Sequence, residues 1–205
     1  MLVLCGENDG VELCNQEFSG PDGIFAYTGL GEGFDHLQVL PYPSFHETGK
    51  PYCGMVLHVD LTGEGTALDL GDIEIPLAET TSPLTVATGG DAALAGLSVH
   101  VEPDSLSFPG LEDAAHFGIA RVAPEDVPFS APGTIVDAYS FHPFACGLTK
   151  AATARYAPDG PSPSDLVLFT NSTGSGELLP LDTQVDGSAV VADLSELTWV
   201  VVTVP

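Results

Sequence analysis

Residues 20–30 read Gly-Pro-Asp-Gly-Ile-Phe-Ala-Tyr-Thr-Gly-Leu, and this stretch decides the predicted fold. Its Asp-Gly pair supplies the positive φ that a tight turn needs. Apolar and small residues then alternate over 24–28, and a Gly-rich turn leads to a second alternating run over 34–40. A period of two is typical of a strand with one buried face. The stretch therefore predicts strands that pack as a β-sandwich.

The same short apolar rhythm continues along the whole chain. Its 23 Gly and 17 Pro divide 205 residues into short runs rich in Val, Leu, Thr and Phe, as in sandwiches and barrels. The predicted strands are 2–5, 11–15, 24–28, 34–40, 54–60, 66–69, 72–77, 84–88, 97–102, 117–122, 133–140, 151–156, 165–170, 177–181, 188–192 and 198–204. Residues 92–94 and 111–115 each predict a helical turn.

Two segments organise this series of strands. The run 199–204 is apolar on both faces, which predicts a central buried strand. Residues 77–83 are rich in Thr, Ser and Pro and predict a linker. We therefore expect an all-β protein of two tandem β-sandwich domains, residues 1–80 and 84–205.

The charge balance excludes some partners. Lys and Arg total 4 against 29 Asp and Glu, a formal net charge of −25. Such a chain repels phosphate backbones and anionic membranes, so we expect neither nucleic-acid nor membrane-surface binding. No run reaches the roughly 18 apolar residues of a membrane-spanning helix, so we expect no membrane insertion.

The cysteines indicate the compartment. Cys5 and Cys14 flank a turn-rich stretch between two apolar runs, which places them across a hairpin where a disulfide fits. Cys53 and Cys146 then form a second bridge or stay as free thiols. A disulfide favours an extracytoplasmic location: secreted, periplasmic or at the cell surface. Because residues 1–5 are more typical of a strand than of a lipobox, we expect that the chain is a mature fragment or that its true start lies upstream.

No motif in the sequence commits to a reaction. His100, Glu102 and Asp104 alternate and could share a face that holds a metal, but Pro103 and the polar neighbours favour a solvated face. No H-E-x-x-H or G-x-S-x-G motif occurs. We therefore predict no catalytic residue, no metal ligand set and no enzyme activity.

A structural calcium ion remains an alternative to a cofactor-free protein. Calcium takes about six to eight oxygen ligands, and acidic turns can supply them. The acidic residues in predicted turns are Asp9, Asp22, Asp69, Asp72, Asp159 and Asp165.

Through short motifs at residues 21–25, 30–33 and 68–75, residues 1–80 resemble the carboxypeptidase regulatory-like domain, a transthyretin-like sandwich. Residues 21–25 are similar to that family's Asp-x-x-Gly-x-Phe strand entry, 30–33 to its Leu-Pro-x-Gly turn, and 68–75 to its closing strand. The family's first strand, with its Gly-x-Val start, is missing or cut off here. The resemblance implies an accessory module that stands beside an enzyme and does not catalyse.

Through the segments 99–106, 123–128 and 139–144, residues 84–205 resemble the ZU-type sandwich of ankyrins, netrin receptors and bacterial surface proteins. The similarity lies in 99–106, which stands where that family has Val-x-Ile-Pro-Pro-Gly-Ala-Leu, and in 123–128 and 139–144. This resemblance implies an interaction or structural role.

These observations together predict a non-enzymatic secreted or cell-surface bacterial module with a structural or protein-interaction role. The alternative is a carbohydrate-binding accessory module. Its sugar platform would be Tyr42, Phe45 and Tyr52 in a long loop, unless these rings serve only as packing. The expected partner is thus a protein or a polysaccharide at the cell surface.

Overall fold

A computed structural model describes residues 1–8, 11–20, 22–28, 33–41, 47–59, 69–107 and 115–205. Within these residues the secondary structure is β-strand with two short 3₁₀ turns and no α-helix, which confirms the all-β class. No helical segment of this part is long and apolar enough to cross a membrane. The 3₁₀ turns are Pro124–Asp126 and Pro163–Asp165. The strands are β1 (Leu2–Asn8), β2 (Val11–Glu17), β3 (Phe34–Val39), β4 (Met55–His58), β5 (Thr80–Leu84), β6 (Gly90–Leu94), β7 (Leu97–Val101), β8 (Leu106–Ser107), β9 (Ala115–Val122), β10 (Thr134–His142), β11 (Cys146–Tyr156), β12 (Val167–Asn171), β13 (Leu178–Pro180), β14 (Thr183–Asp186), β15 (Ala189–Leu197) and β16 (Trp199–Val204).

The strands form three antiparallel sheets. The first sheet has the order β2-β1-β3-β4. The central sheet has the order β13-β12-β16-β10-β9-β5. The third sheet has the order β14-β15-β11-β7-β6, and β8 pairs with β11 beside it.

Strand β16 lies inside the central sheet, between β12 and β10, and its residues 199–202 are fully buried. Trp199 and Val201 belong to the core shared with the first sheet, while Val200 and Val202 belong to the core shared with the third sheet. The central sheet is therefore covered on both faces, and the sequence prediction of a central buried strand is confirmed.

Each of the two cores has its own large side chains. Between the central and third sheets lie Phe117, Tyr139, Phe141, Leu168, Leu97 and Leu194. Between the first and central sheets lie Leu4, Leu37, Val39, Met55, Phe169 and Trp199. The second core joins side chains from both predicted domains. Whether 1–80 and 84–205 fold independently stays a prediction.

The backbone carbonyl of Gly54 is one polar contact between the first and central sheets. It accepts hydrogen bonds from Trp199 Nε1 at 2.8 Å and from Ser140 Oγ at 3.0 Å. A Cβ at position 54 would lie 2.6 Å from the Phe144 ring, so only glycine allows this approach. The indole N–H is thereby satisfied inside an apolar core.

Asn171 provides a second polar contact between these two sheets. Its side chain is fully buried. The Oδ1 atom accepts from the Val56 N–H at 3.1 Å, and Nδ2 donates to the carbonyls of Val56 at 3.1 Å and Gly176 at 3.0 Å. The amide therefore pairs with strand β4 as a neighbouring strand would, at the edge of the first sheet.

Several local predictions were wrong. Residues 24–28 and 72–77 alternate in polarity but form no strand. The predicted turn before the first of them is present, because the Gly23 N–H donates to the Gly20 carbonyl at 2.9 Å and Gly23 has a φ of 79°. Residues 24–28 then pack against the core of the first and central sheets without regular secondary structure. The Tyr27 hydroxyl donates to the Leu2 carbonyl at 2.8 Å. Pro21, residues 29–30 and residues 66–68 of another predicted strand lie outside the described residues.

Two further segments are strands where the sequence predicted none. The predicted linker 77–83 contributes β5, which pairs with β9 from Thr80 to Leu84. Pro83 is tolerated because β5 is an edge strand of the central sheet. The predicted helical turn 92–94 lies in β6, which pairs with β7. In both cases pairing with a partner strand, β9 or β7, outweighs the weak strand propensity of the segment.

We expect Asn171→Ala to lower the free energy of unfolding by about 3 kcal/mol or more. The substitution leaves the Val56 N–H and two carbonyls buried without a partner, at about 1–3 kcal/mol for each unsatisfied group. Urea unfolding followed by circular dichroism measures the change. The matched control Asn15→Ala, on the exposed side of β2, should shift the value by about 0.5 kcal/mol or less. Equal effects of the two substitutions would contradict the role given to Asn171.

Candidate binding face

One of the three predicted sugar-binding aromatics, Tyr52, lies within the described residues. Tyr42 and Phe45 lie outside the described residues. Tyr52 is half-buried and forms an isolated bridge with Leu77. Its carbonyl lies 3.1 Å from Nδ1 of His142 at the end of β10. This part of the predicted platform is therefore packed beside the central sheet, and the platform as a whole stays a prediction.

The outer face of the third sheet carries two cross-strand rows of side chains, which we call the binding face. Residues directly opposite each other on neighbouring strands point to the same face. The first row, across β6, β7, β11 and β15, is Asp91, His100, Thr153 and Asp193. The second row, across the same strands, is Ala93, Ser98, Arg155 and Val191.

A shallow groove of about 340 Å³ lies on this face. Its floor is formed by short side chains, Ala93, Ser98 and Thr153, and its polar groups come from Asp91, His100 and Arg155. Because the floor residues are small, the sheet backbone lies close to the surface there. The groove can hold an extended ligand that carries hydrogen-bonding groups along its length.

Each cationic side chain in the groove already has an acidic partner. His100 Nδ1 lies 2.7 Å from Asp91 Oδ1, and His100 Nε2 lies 3.5 Å from Glu102 Oε1. The hydrogen bond that His100 donates to Asp91 and the charges of both carboxylates raise the pKa of His100 above its ordinary value. Arg155 pairs with Asp186 at 2.5 Å. The face is therefore acidic, and its cations do not offer an anion site.

The alternating trio His100, Glu102 and Asp104 does not form a metal site. Strand β7 ends at Val101, and Asp104 stands beyond it with a φ of 56°, where its N–H donates to the Val86 carbonyl. Asp91 contacts Nδ1 of His100 and Glu102 contacts Nε2, so the two carboxylates do not converge on the same ring nitrogen. In the described residues no group of three or more His, Cys, Asp or Glu side chains is arranged to hold a metal.

The structural calcium ion stays a prediction. Asp22 Oδ1 accepts from the Ile24 N–H at 3.2 Å, and Asp69 Oδ1 accepts from the Gly71 N–H at 2.9 Å. Both carboxylates therefore cap their own turns. Asp9 lies outside the described residues.

Cys5 and Cys14 form the disulfide that the sequence predicted. They are directly opposite each other on β1 and β2, with Cα atoms 4.2 Å apart. Cys53 and Cys146 are free and buried in different clusters, so they form no second bridge. Burial raises the pKa of the Cys53 thiol to about 12 and that of Cys146 to about 11. Both thiols are therefore poor nucleophiles at neutral pH.

A buried carboxylate that sequence reasoning missed joins the central and third sheets. Asp137 accepts from Arg121 Nε at 2.6 Å and from the Tyr156 hydroxyl at 2.5 Å. Burial and the hydrogen bond to Asp137 raise the pKa of Tyr156, so its hydroxyl stays a donor. The signal that the sequence offered for this pair is the scarcity of cations. Because acids greatly outnumber them, each Arg has many possible carboxylate partners. The arrangement satisfies a buried charge.

Comparison with protein-family models and with curated proteins found no match to this chain.

We expect alkylation without reductant to label only Cys53 and Cys146, and only after denaturation. In the native chain both thiols are buried and protonated, while Cys5 and Cys14 are oxidised. Mass spectrometry of iodoacetamide-treated protein at mildly alkaline pH, with and without denaturant, measures the labelled sites. Cys14→Ser is the control, because it must make Cys5 available to the reagent after denaturation. Labelling of Cys5 or Cys14 in the unmutated chain without reductant would contradict the disulfide.

Proposed function

We propose that this chain is a non-enzymatic, exported bacterial module that binds an extended, basic segment of a partner protein across the binding face. The observation that carries the proposal is the groove over Ala93, Ser98 and Thr153, together with the exposed carboxylates of Glu102, Asp186 and Asp193 around it. The disulfide between Cys5 and Cys14 supports a location outside the cytoplasm. We also retain, as a proposal, the relationship of residues 1–80 to carboxypeptidase regulatory-like domains and of 84–205 to ZU-type sandwiches.

The shape of the groove favours an extended polypeptide. Ser98 is half-buried and Thr153 is exposed, so their hydroxyls line a floor without bulky side chains. A strand-like segment could lie along such a floor and use both its backbone and its side chains. The residues that line the groove include no aromatic ring of the kind on which a sugar stacks. This composition favours a protein partner over a polysaccharide.

The charge of the face favours a basic partner. Asp91 and Asp193 are exposed at the two ends of the first row, and Asp186 and Glu102 are exposed beside it. The whole chain has a formal net charge of −25, which attracts a cationic segment over a long range. Complementary charge of this kind raises the association rate and excludes acidic competitors.

We expect a Lys- and Arg-rich peptide to shift the backbone amide NMR signals of Ser98, His100, Thr153 and Asp193. A Glu- and Asp-rich peptide of the same length should leave them unchanged. Asp193→Lys should weaken binding of the basic peptide about tenfold, which corresponds to about 1.4 kcal/mol. The binding should also weaken as salt is added.

The matched control is Asp159→Lys, which makes the same charge change on an exposed loop outside the groove. It should bind the basic peptide as well as the unaltered chain does. Equal loss in both variants would mean that the peptide senses only net charge, and the proposal would fail. If a neutral polysaccharide binds instead, and Tyr42→Ala or Tyr52→Ala abolishes that binding, the carbohydrate-binding alternative replaces it.

A further inference from the structure

Two histidines of the first sheet are direct cross-strand neighbours. His36 on β3 is paired in register with His58 on β4. The adjacent pair Leu37 and Leu57 belongs to the core against the central sheet, so the two imidazoles leave the sheet on the opposite face. Directly opposite residues of an antiparallel pair have Cβ atoms about 4.5–5.5 Å apart. Two imidazoles at this spacing can reach one metal ion.

The tautomer of His36 is fixed by its neighbour. Its Nδ1 lies 2.6 Å from a carboxylate oxygen of Asp35, which can only accept, so Nδ1 carries the proton. The neutral ring then has its lone pair on Nε2. The side chain is only 4% exposed, and Nε2 is buried with no hydrogen-bond partner among the residues that the structure describes. A buried acceptor left in this state is uncommon and needs a reason.

The tautomer of His58 is fixed in the same sense. Its Nδ1 lies 3.2 Å from the backbone carbonyl of Ser175, which again can only accept. Nε2 is therefore the lone-pair nitrogen of this ring as well. Metal-binding histidines almost always donate their other ring N–H to a carboxylate or a backbone carbonyl. Here Asp35 serves one ring in this way, and the Ser175 carbonyl serves the other.

We propose that Nε2 of His36 and Nε2 of His58 together bind a divalent transition metal ion such as Zn²⁺. Neutral imidazole suits zinc, copper and nickel better than calcium or magnesium. Cys5 is the other cross-strand neighbour of His36, but its sulfur is held in the disulfide. The two imidazoles are therefore the protein ligands, and solvent completes the coordination. The ion enters on the side of His58, which is exposed.

The proposal is tested on the full chain with Zn²⁺ alone. Long-range ¹H–¹⁵N NMR spectra should show Nε2 signals of His36 and His58 shifting together and saturably as the ion is added. Isothermal titration calorimetry gives the dissociation constant. His58→Gln should weaken zinc binding at least roughly tenfold. Asp35→Asn should weaken it by about tenfold or more, because Asp35 accepts the hydrogen bond that orients the His36 ring.

Two comparisons keep the test decisive. His58 is exposed, so His58→Gln should retain the thermal unfolding midpoint of the chain, which separates loss of the ligand from loss of the fold. The matched control His100→Gln removes an imidazole that contacts two carboxylates on the third sheet, and zinc binding should not change. The proposal is overturned if Zn²⁺ does not saturate the chain, if His58→Gln binds as tightly as the unaltered protein, or if His100→Gln abolishes binding.

Discussion

The structure depends on burying both faces of strand β16. Trp199 and Val201 require a cover on one side, and Val200 and Val202 require one on the other. A sheet with two apolar faces is stable in water only when a layer packs on each of them. The first and third sheets supply these layers. Their positions are then made specific by a few buried polar contacts, at Gly54, Asn171 and Asp137.

The acidic surface explains why these contacts matter. With only 4 Lys and Arg against 29 acids, the chain cannot rely on networks of ion pairs. Two of the four cations, Arg121 and Arg155, each pair with a carboxylate in the described residues. Apolar burial and satisfied amides must therefore hold the layers together. The binding face and the histidine pair both lie within this negative field, which favours cationic ligands.

Sequence reasoning succeeded where a feature is local. The two-sided apolar run over 199–204 indicated a central strand, and the turn between Cys5 and Cys14 indicated a hairpin disulfide. It failed where a distant partner decides. Residues 24–28 alternate but pair with no strand in the described part of the chain, whereas Thr80–Leu84 have weak strand character and pair fully with β9. The proximity of His36 and His58 follows from strand register, which the sequence does not state.

The central claim is that the first and central sheets share one core and therefore unfold together. Native-state hydrogen exchange under increasing denaturant tests it most directly, by comparing the backbone amides of β3 with those of β16. The account predicts that both strands exchange through the same global opening, with equal free energies. If β3 opens at a clearly lower free energy while β16 stays protected, the first sheet is a separate unit and the shared core does not hold the fold together.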